Sequence, residues 1–193
     1  MPLVLASTSR FRRQLMDRLG LAYEAIAPDY DEIEPPGMAP LDCAILFARG
    51  KAEEVARRHP RSLVIGADQA LEFDGRLLRK PHTLAEAADQ LMMLSGHWHR
   101  LHTAVTLVGP EPGTVTEALT TTELKIRPLT RAQAEHYASL DQPIGSVGGY
   151  TYEQRGVWLF DEVRGSDDSA IVGLPLWLVA RLLREAGLDP LDP

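Results

Sequence analysis

Cysteine occurs once in the 193 residues, at Cys43. A single thiol excludes an intramolecular disulfide and any cysteine-built zinc cluster, and such scarcity fits a reducing compartment. Basic residues are in deficit, 20 Lys and Arg against 27 Asp and Glu, for a formal net charge of -7. That balance argues against a sequence-independent grip on polymeric DNA or RNA, which needs a basic surface. It leaves room for a small anion held by a few well-placed cations. Long apolar runs are also missing. The N-terminal run covers only residues 3–6 and is followed by arginines, whereas a secretory core takes about 7 to 15 apolar residues behind a positive charge. The uncharged stretch 169–180 contains Pro175 and falls short of the ~20 residues that span a bilayer. Repeats and low-complexity tracts are absent. The expectation is a soluble cytoplasmic protein with no membrane partner.

Hydrophobic residues at 45% and charged ones at 24% are ordinary globular values, which disfavours disorder. The length suits one domain spanning residues 1–193, with a core of its own. Residues 3–6 read as a buried strand. Ser7, Thr8 and Ser9 then offer capping oxygens to a helix running to about Leu19 and closed by Gly20. Phe11, Leu15 and Leu19 recur every four positions, which predicts an inward face. A Pro-rich acidic loop fills 28–40, and a helix with Ala44, Ala48, Ala52 and Val55 on its stripe follows to about Arg58.

Residues 62–68 predict a buried strand, and 71–78 two short strands around the hairpin signal Asp74-Gly75. Thr83 and Glu86 suggest a capping box for a helix ending at Ser95-Gly96, and Thr130 and Gln133 cap another to Leu140. Strands are expected over 100–108 and 114–126, joined by the Pro/Gly stretch 109–113. The glycine-rich loop 145–149 precedes an expected strand pair and a last helix over 176–186. The fold class is α/β, with a mixed twisted sheet and flanking helices.

Three places could carry chemistry. Ser7, Ser9, Arg10, Arg12 and Arg13 surround the start of the first helix, where free N–H groups suit a phosphate. Arginines there oppose the helix dipole unless an anion sits nearby; a solvated basic helix end is the alternative. Lys51 lies on the stripe of Ala44, Ala48 and Val55, so its stem faces inward. It then needs a carboxylate or a bound anion, or else it snorkels outward. Asp68 ends an apolar strand, the place where α/β sheets collect ligands. The hairpin register pairs residues summing to 149, which brings Lys80 within diagonal reach of Asp68. Both a structural ion pair and a carboxylate that holds a metal or activates water fit that spacing.

Asp29, Asp31, Glu32 and Glu34 form a solvated loop, or lend one member to a divalent-metal site with Asp68. His97, His99 and His102 match no metal template, and strand alternation puts His97 and His99 on one face with His102 opposed. P-loop, dinucleotide-binding and nucleophile-elbow motifs are absent.

Taken together, these stretches are similar to the Maf family of nucleoside triphosphate pyrophosphatases over residues 3–187. The resemblance is carried by Leu5-Ala6-Ser7-Thr8-Ser9 with Arg12-Arg13, Ala48-Arg49-Gly50-Lys51-Ala52, Ile65-Gly66-Ala67-Asp68 and Lys80-Pro81. Leu94-Ser95-Gly96, His99, Thr103-Ala104-Val105 and Val172-Gly173-Leu174-Pro175-Leu176 continue it. It implies a two-lobed single domain of the Maf/ITPase-like kind. The implied activity is hydrolysis between the α and β phosphates of a nucleoside triphosphate with a divalent cation, Mg or Mn. Asp68 then corresponds to the proton acceptor. Ser7, Ser9, Arg12, Arg13, Lys51 and Lys80 correspond to phosphate-binding or charge-neutralising residues, and Glu32 to a catalytic loop acid that shares the metal with Asp68.

Phe11, Gln69 and Glu153 correspond to the positions that select the base. Gln and Glu there resemble the branch acting on 7-methyl-GTP, which implies clearance of modified nucleotides. Three departures stand out: Phe11 replaces that branch's Trp, Arg10 replaces a usual Pro, and Gly145-Ser146 replaces the Asp-Lys pair of the dTTP/UTP branch. A dTTP/UTP pyrophosphatase and a non-catalytic nucleotide-binding regulator of cell division are the competing expectations. A homodimer is compatible with the resemblance.

Overall fold

The structure, a computed structural model, describes residues 1–111 and 113–192. Pro112, inside the expected linker 109–113, and Pro193, at the end of the expected domain, lie outside the described residues. The first strand, β1 (Leu3–Ala6), is buried along its whole length. Ser9 then caps α1 (Arg10–Asp17), its hydroxyl accepting the Arg12 N–H. The helix stops short of the expected Leu19, and residues 18–20 form a turn in which the Arg18 N–H returns to the Leu15 carbonyl. A short strand with little sequence signal, β2 (Glu24–Ile26), pairs in parallel with β1.

Pro40, at a first-turn position where its missing N–H costs nothing, opens α2 (Pro40–Arg58). The next strand, β3 (Leu63–Phe73), is one continuous element rather than the two expected pieces. It pairs in parallel with β1, Leu3 opposite Leu63 and Ala6 opposite Gly66. A turn with positive φ at Asp74 (50°) and Gly75 (72°) returns it to β4 (Arg76–Leu78). The ladder runs from Phe73↔Arg76 to Leu71↔Leu78, the register read from the sequence.

The chain continues through α3 (Leu84–Leu94), β5 (Trp98–Val108), β6 (Val115–Ile126) and α4 (Arg131–Asp141). It ends with β7 (Phe160–Arg164), α5 (Asp168–Val172) and α6 (Leu176–Glu185). Thr130 and Gln133 close a complete capping box. Thr83 accepts the Glu86 N–H, but the Glu86 carboxylate accepts from His82 rather than Thr83. The strand pair expected after the glycine loop is a 3₁₀ segment, Arg155–Leu159, followed by β7 alone. The strands form a mixed seven-stranded sheet in the order β2-β1-β3-β5-β6-β7, with β4 on β3. No helix among the described residues is long and apolar enough to cross a membrane.

Two compact units divide the chain. The first comprises Met1–Gln69, Thr103–Thr120 and the segment from Asp167. Its sheet is buried on both faces. Leu3 and Leu5 join Leu15, Ile65, Val179 and Leu182 in one apolar cluster, while Val4 and Ala6 meet Val55 and Val64 in another. Cys43 on α2 is wholly buried.

The second unit comprises Ala70–His102 and Thr121–Ser166, with Leu71, Leu91, Leu101, Leu124 and Ile126 buried in it. His99 sits in this interior, its Nε2 2.9 Å from the Tyr150 hydroxyl. His102 is buried as well, between Thr121 Oγ1 at 2.9 Å and Glu72 Oε2 at 2.8 Å.

Burial holds the His99 imidazole down, from 6.5 to about 4. Above pH 6.5 the folded and unfolded states carry the same proton count at this group. Between pH 6.5 and about 4 the unfolded chain takes up a proton that the folded chain refuses, so stability falls by about 3 kcal/mol across that window. Urea unfolding of wild type and His99→Phe at the two ends checks this: the acid-side loss should be about 3 kcal/mol smaller in the variant.

Candidate active site

Gly66 decides how closely α2 approaches β3. A Cβ there would stand 2.3 Å from the Ala48 carbonyl oxygen and 2.8 Å from the Ala52 Cβ. Without it, helix backbone meets strand backbone. Asp68, two residues on, projects from the same strand face. Lys51 on α2 therefore reaches it, with Nζ 2.6 Å from Asp68 Oδ1. Lys51 is 6% exposed and Asp68 7%. The sequence left the lysine a choice between an inward partner and snorkelling, and it takes the inward one. Glu32, from the acidic loop, closes a second ion pair on the same ammonium.

Arg12 completes the cluster. Its Nε donates to the Gly173 carbonyl at 2.8 Å, and its charge lies close enough to Asp68 and Glu32 to interact with both. Desolvation pushes the guanidinium below its usual value against the pull of those two carboxylates; it stays cationic at neutral pH. Desolvation likewise pushes the Asp68 carboxyl up. Lys51 and Arg12 oppose that rise and Glu32 adds to it.

Ser7 Oγ accepts the Ser9 N–H at 3.1 Å, and Ser9 Oγ accepts the Arg12 N–H at 3.4 Å. Each hydroxyl keeps its own hydrogen to donate. Arg10 and Arg13 are exposed. Phe11 is half-buried outside the apolar cluster that takes Leu15, and the Arg10 guanidinium lies 4.5 Å from its ring centroid.

The remaining expected residues are Gln69, Lys80 and Glu153. Gln69 follows Asp68, and its side-chain nitrogen is engaged by the first unit's own backbone: Nε2 donates to the carbonyls of Ala170 and Ile171 at 2.7 and 3.1 Å. Lys80 and Glu153 belong to the second unit and are exposed there. Lys80 stands in the loop after β4, past the last ladder pair, Leu71↔Leu78.

Tyr30 is a member that sequence reasoning missed. Its ring covers Gly50, where a Cβ would come within 2.2 Å of it. Burial pushes its hydroxyl up, with Glu32 and Asp68 adding to the rise. The available signal was Gly50, a glycine in a helix interior that costs about 1 kcal/mol relative to alanine unless something packs on it.

Among the described residues no group of three or more His, Cys, Asp and Glu is arranged to hold a metal. Asp68 and Glu32 do offer two carboxylates meeting at one cation. Such an all-oxygen pair suits a hard divalent ion whose other positions go to water and phosphate.

Residues 2–186 match the family described as Maf-like protein. The chain belongs to the Maf-like protein family. Maf-like relatives named 7-methyl-GTP pyrophosphatase are similar over nearly their whole length. One from Xanthomonas campestris pv. campestris (strain 8004) is 44% identical over 187 residues, 97% of each chain. Another, from Xanthomonas oryzae pv. oryzae (strain MAFF 311018), is 46% identical over 185 residues, 96% of each. A third, from Bordetella pertussis (strain Tohama I), is 41% identical over 190 residues, covering 98% of this chain and 94% of its own.

In this Maf-like protein the packing of α2 on β3 carries the site. Gly66→Ala should lower stability by about 1–3 kcal/mol, the cost of overpacking, and raise KM for any ligand that Lys51 serves. Urea midpoints and steady-state kinetics of the variant read the two effects separately.

Proposed function

We propose that this protein hydrolyses a nucleoside triphosphate between its α and β phosphates, releasing the monophosphate and diphosphate, and that 7-methyl-GTP is its preferred substrate. The observation that carries the reading is the convergence of Asp68, Lys51, Glu32 and Arg12 in the first unit. Near full-length similarity to relatives bearing that name supports the substrate.

In this reading Asp68 accepts the proton of the attacking water. A carboxyl pushed up by burial is a better base than a solvated one. Water oxygen forms a bond to phosphorus, the α–β bridging bond breaks, and diphosphate departs with the bonding pair. Arg12 and Lys51 take up the charge that develops on the phosphoryl oxygens, the main task in phosphoryl transfer. Arg13, Lys80 and the hydroxyls of Ser7 and Ser9 supply further donors to the triphosphate. Asp68 and Glu32 would hold Mg or Mn, which adds charge neutralisation when bound.

For the base, 7-methylguanine carries a positive charge and paired N–H donors. An aromatic face at Phe11 and the Glu153 carboxylate suit these two properties. The whole chain acts as one catalytic domain in this account.

Diphosphate release from 7-methyl-GTP, GTP, UTP and dTTP with Mg or Mn tests the proposal. Turnover of 7-methyl-GTP should be fastest, and Asp68→Asn should lower kcat by about 10²–10⁴-fold. Undiminished activity in Asp68→Asn would sink the mechanism. Faster turnover of UTP or dTTP would move the assignment to the other branch, and binding without turnover would make the protein a nucleotide-binding module.

A further inference from the structure

Gln69 and Thr103 form a hydrogen-bonded relay that ends at α5. Thr103 on β5 is fully buried, and its hydroxyl donates to the Ala170 carbonyl at 2.9 Å. The same hydroxyl oxygen accepts from Gln69 Nε2 at 3.1 Å. Gln69 Nε2 also donates to Ala170 and Ile171, at 2.7 and 3.1 Å. Its two N–H bonds are thus shared among three acceptors, and no donor remains on that nitrogen for a ligand.

Two of these acceptors, the Ala170 and Ile171 carbonyls, lie in a short helix that is also capped by Asp167, which accepts from the Ser169 N–H at 2.9 Å, and tied by Ser169 Oγ, which accepts from the Leu176 N–H at 2.8 Å. At five residues, Asp168–Val172 is well below the length at which a helix is stable alone. The Ala170 carbonyl accepts from Gln69, from Thr103 and from the Gly173 N–H at 3.1 Å. Gly173 ends the helix at φ 112°, a backbone shape that favours glycine. Its carbonyl is the oxygen that receives Arg12 Nε at 2.8 Å. Every link in this chain belongs to the first unit.

We infer that Gln69 and Thr103 are positioning residues that fix the α5–Gly173 turn and, through the Gly173 carbonyl, aim the Arg12 guanidinium at the phosphates of the substrate. The inference rests on the pyrophosphatase reading for what Arg12 touches, and it assigns a positioning task to the Gln69 amide nitrogen. Thr103, in the sequence only a member of the matching stretch Thr103-Ala104-Val105, gains a role of its own.

The test uses inorganic tripolyphosphate as a base-free probe, by titration calorimetry, beside steady-state hydrolysis of 7-methyl-GTP and UTP. Thr103→Val keeps the side chain's shape and removes the hydroxyl; it should weaken tripolyphosphate binding about ten-fold, the worth of one hydrogen bond. It should also raise KM more than it lowers kcat and leave the 7-methyl-GTP to UTP ratio unchanged. Gln69→Met should weaken tripolyphosphate binding to a similar degree, and Thr103→Ser should restore wild-type affinity. In an Arg12→Ala background neither substitution should weaken binding further.

A change in the base ratio on Thr103→Val would overturn the inference, as would an equal loss in the Arg12→Ala background or no binding of tripolyphosphate by wild type. Wild type that binds tripolyphosphate yet hydrolyses no nucleotide would refute the pyrophosphatase reading while the affinity pattern still upheld the relay. If Thr103→Val fails to fold, Gln69→Met and Thr103→Ser carry the same comparison.

Discussion

A lysine ammonium placed in a protein interior dictates much of what surrounds it. Uncompensated, such a charge is among the most expensive groups a fold can bury. Lys51 is made tolerable by Asp68 on one side and Glu32 on the other, and each partner imposes a condition elsewhere. Asp68 is in reach only because α2 lies backbone to backbone on β3 at Gly66. Glu32 is in reach only because the loop between β2 and α2 folds back over the helix, where Tyr30 lies on Gly50. The ion pairs and the packing are therefore one requirement seen from two sides.

With Arg12 included, the group holds two cations and two carboxylates near balance. Such a site differs from a bare cationic trap. An anion entering it competes with carboxylates already bound, and the net cost or gain depends on how well its oxygens replace theirs. The arrangement favours a ligand that brings several oxygens and its own counter-cation over a simple monovalent anion. Selectivity of this kind comes from charge exchange rather than from charge excess, which is how an acidic protein can host a polyanion.

Much of this was legible in the sequence because it followed local rules. The Asp74-Gly75 turn fixes its own ladder, so the register from Phe73↔Arg76 to Leu71↔Leu78 could be counted. Lys51 lay on an alanine stripe and Asp68 at the end of an apolar run, and both patterns break binary alternation in a way that demands a partner. What escaped was set by distant contacts. The sheet contact that makes β2 a strand is a pairing with β1, invisible in Glu24-Ala25-Ile26 itself. The helix α5 is held by side chains 67 and 101 residues away in sequence. The expected strand ended at Asp68 and the next began at Leu71, whereas β3 runs through both without a break. The counted register stops at Leu71↔Leu78, short of Lys80, since a ladder ends where its partner strand does.

Cys43 lies fully buried on the same helix as Lys51, and it is the only sulfur in the chain able to form a disulfide or a sulfenic acid. Oxidation of a thiol needs access as well as reactivity. The groups gathered at the end of β3 are carboxylates, an ammonium, a guanidinium and a phenol, none of which peroxide attacks readily. The side chains of the site thereby offer peroxide nothing to oxidise.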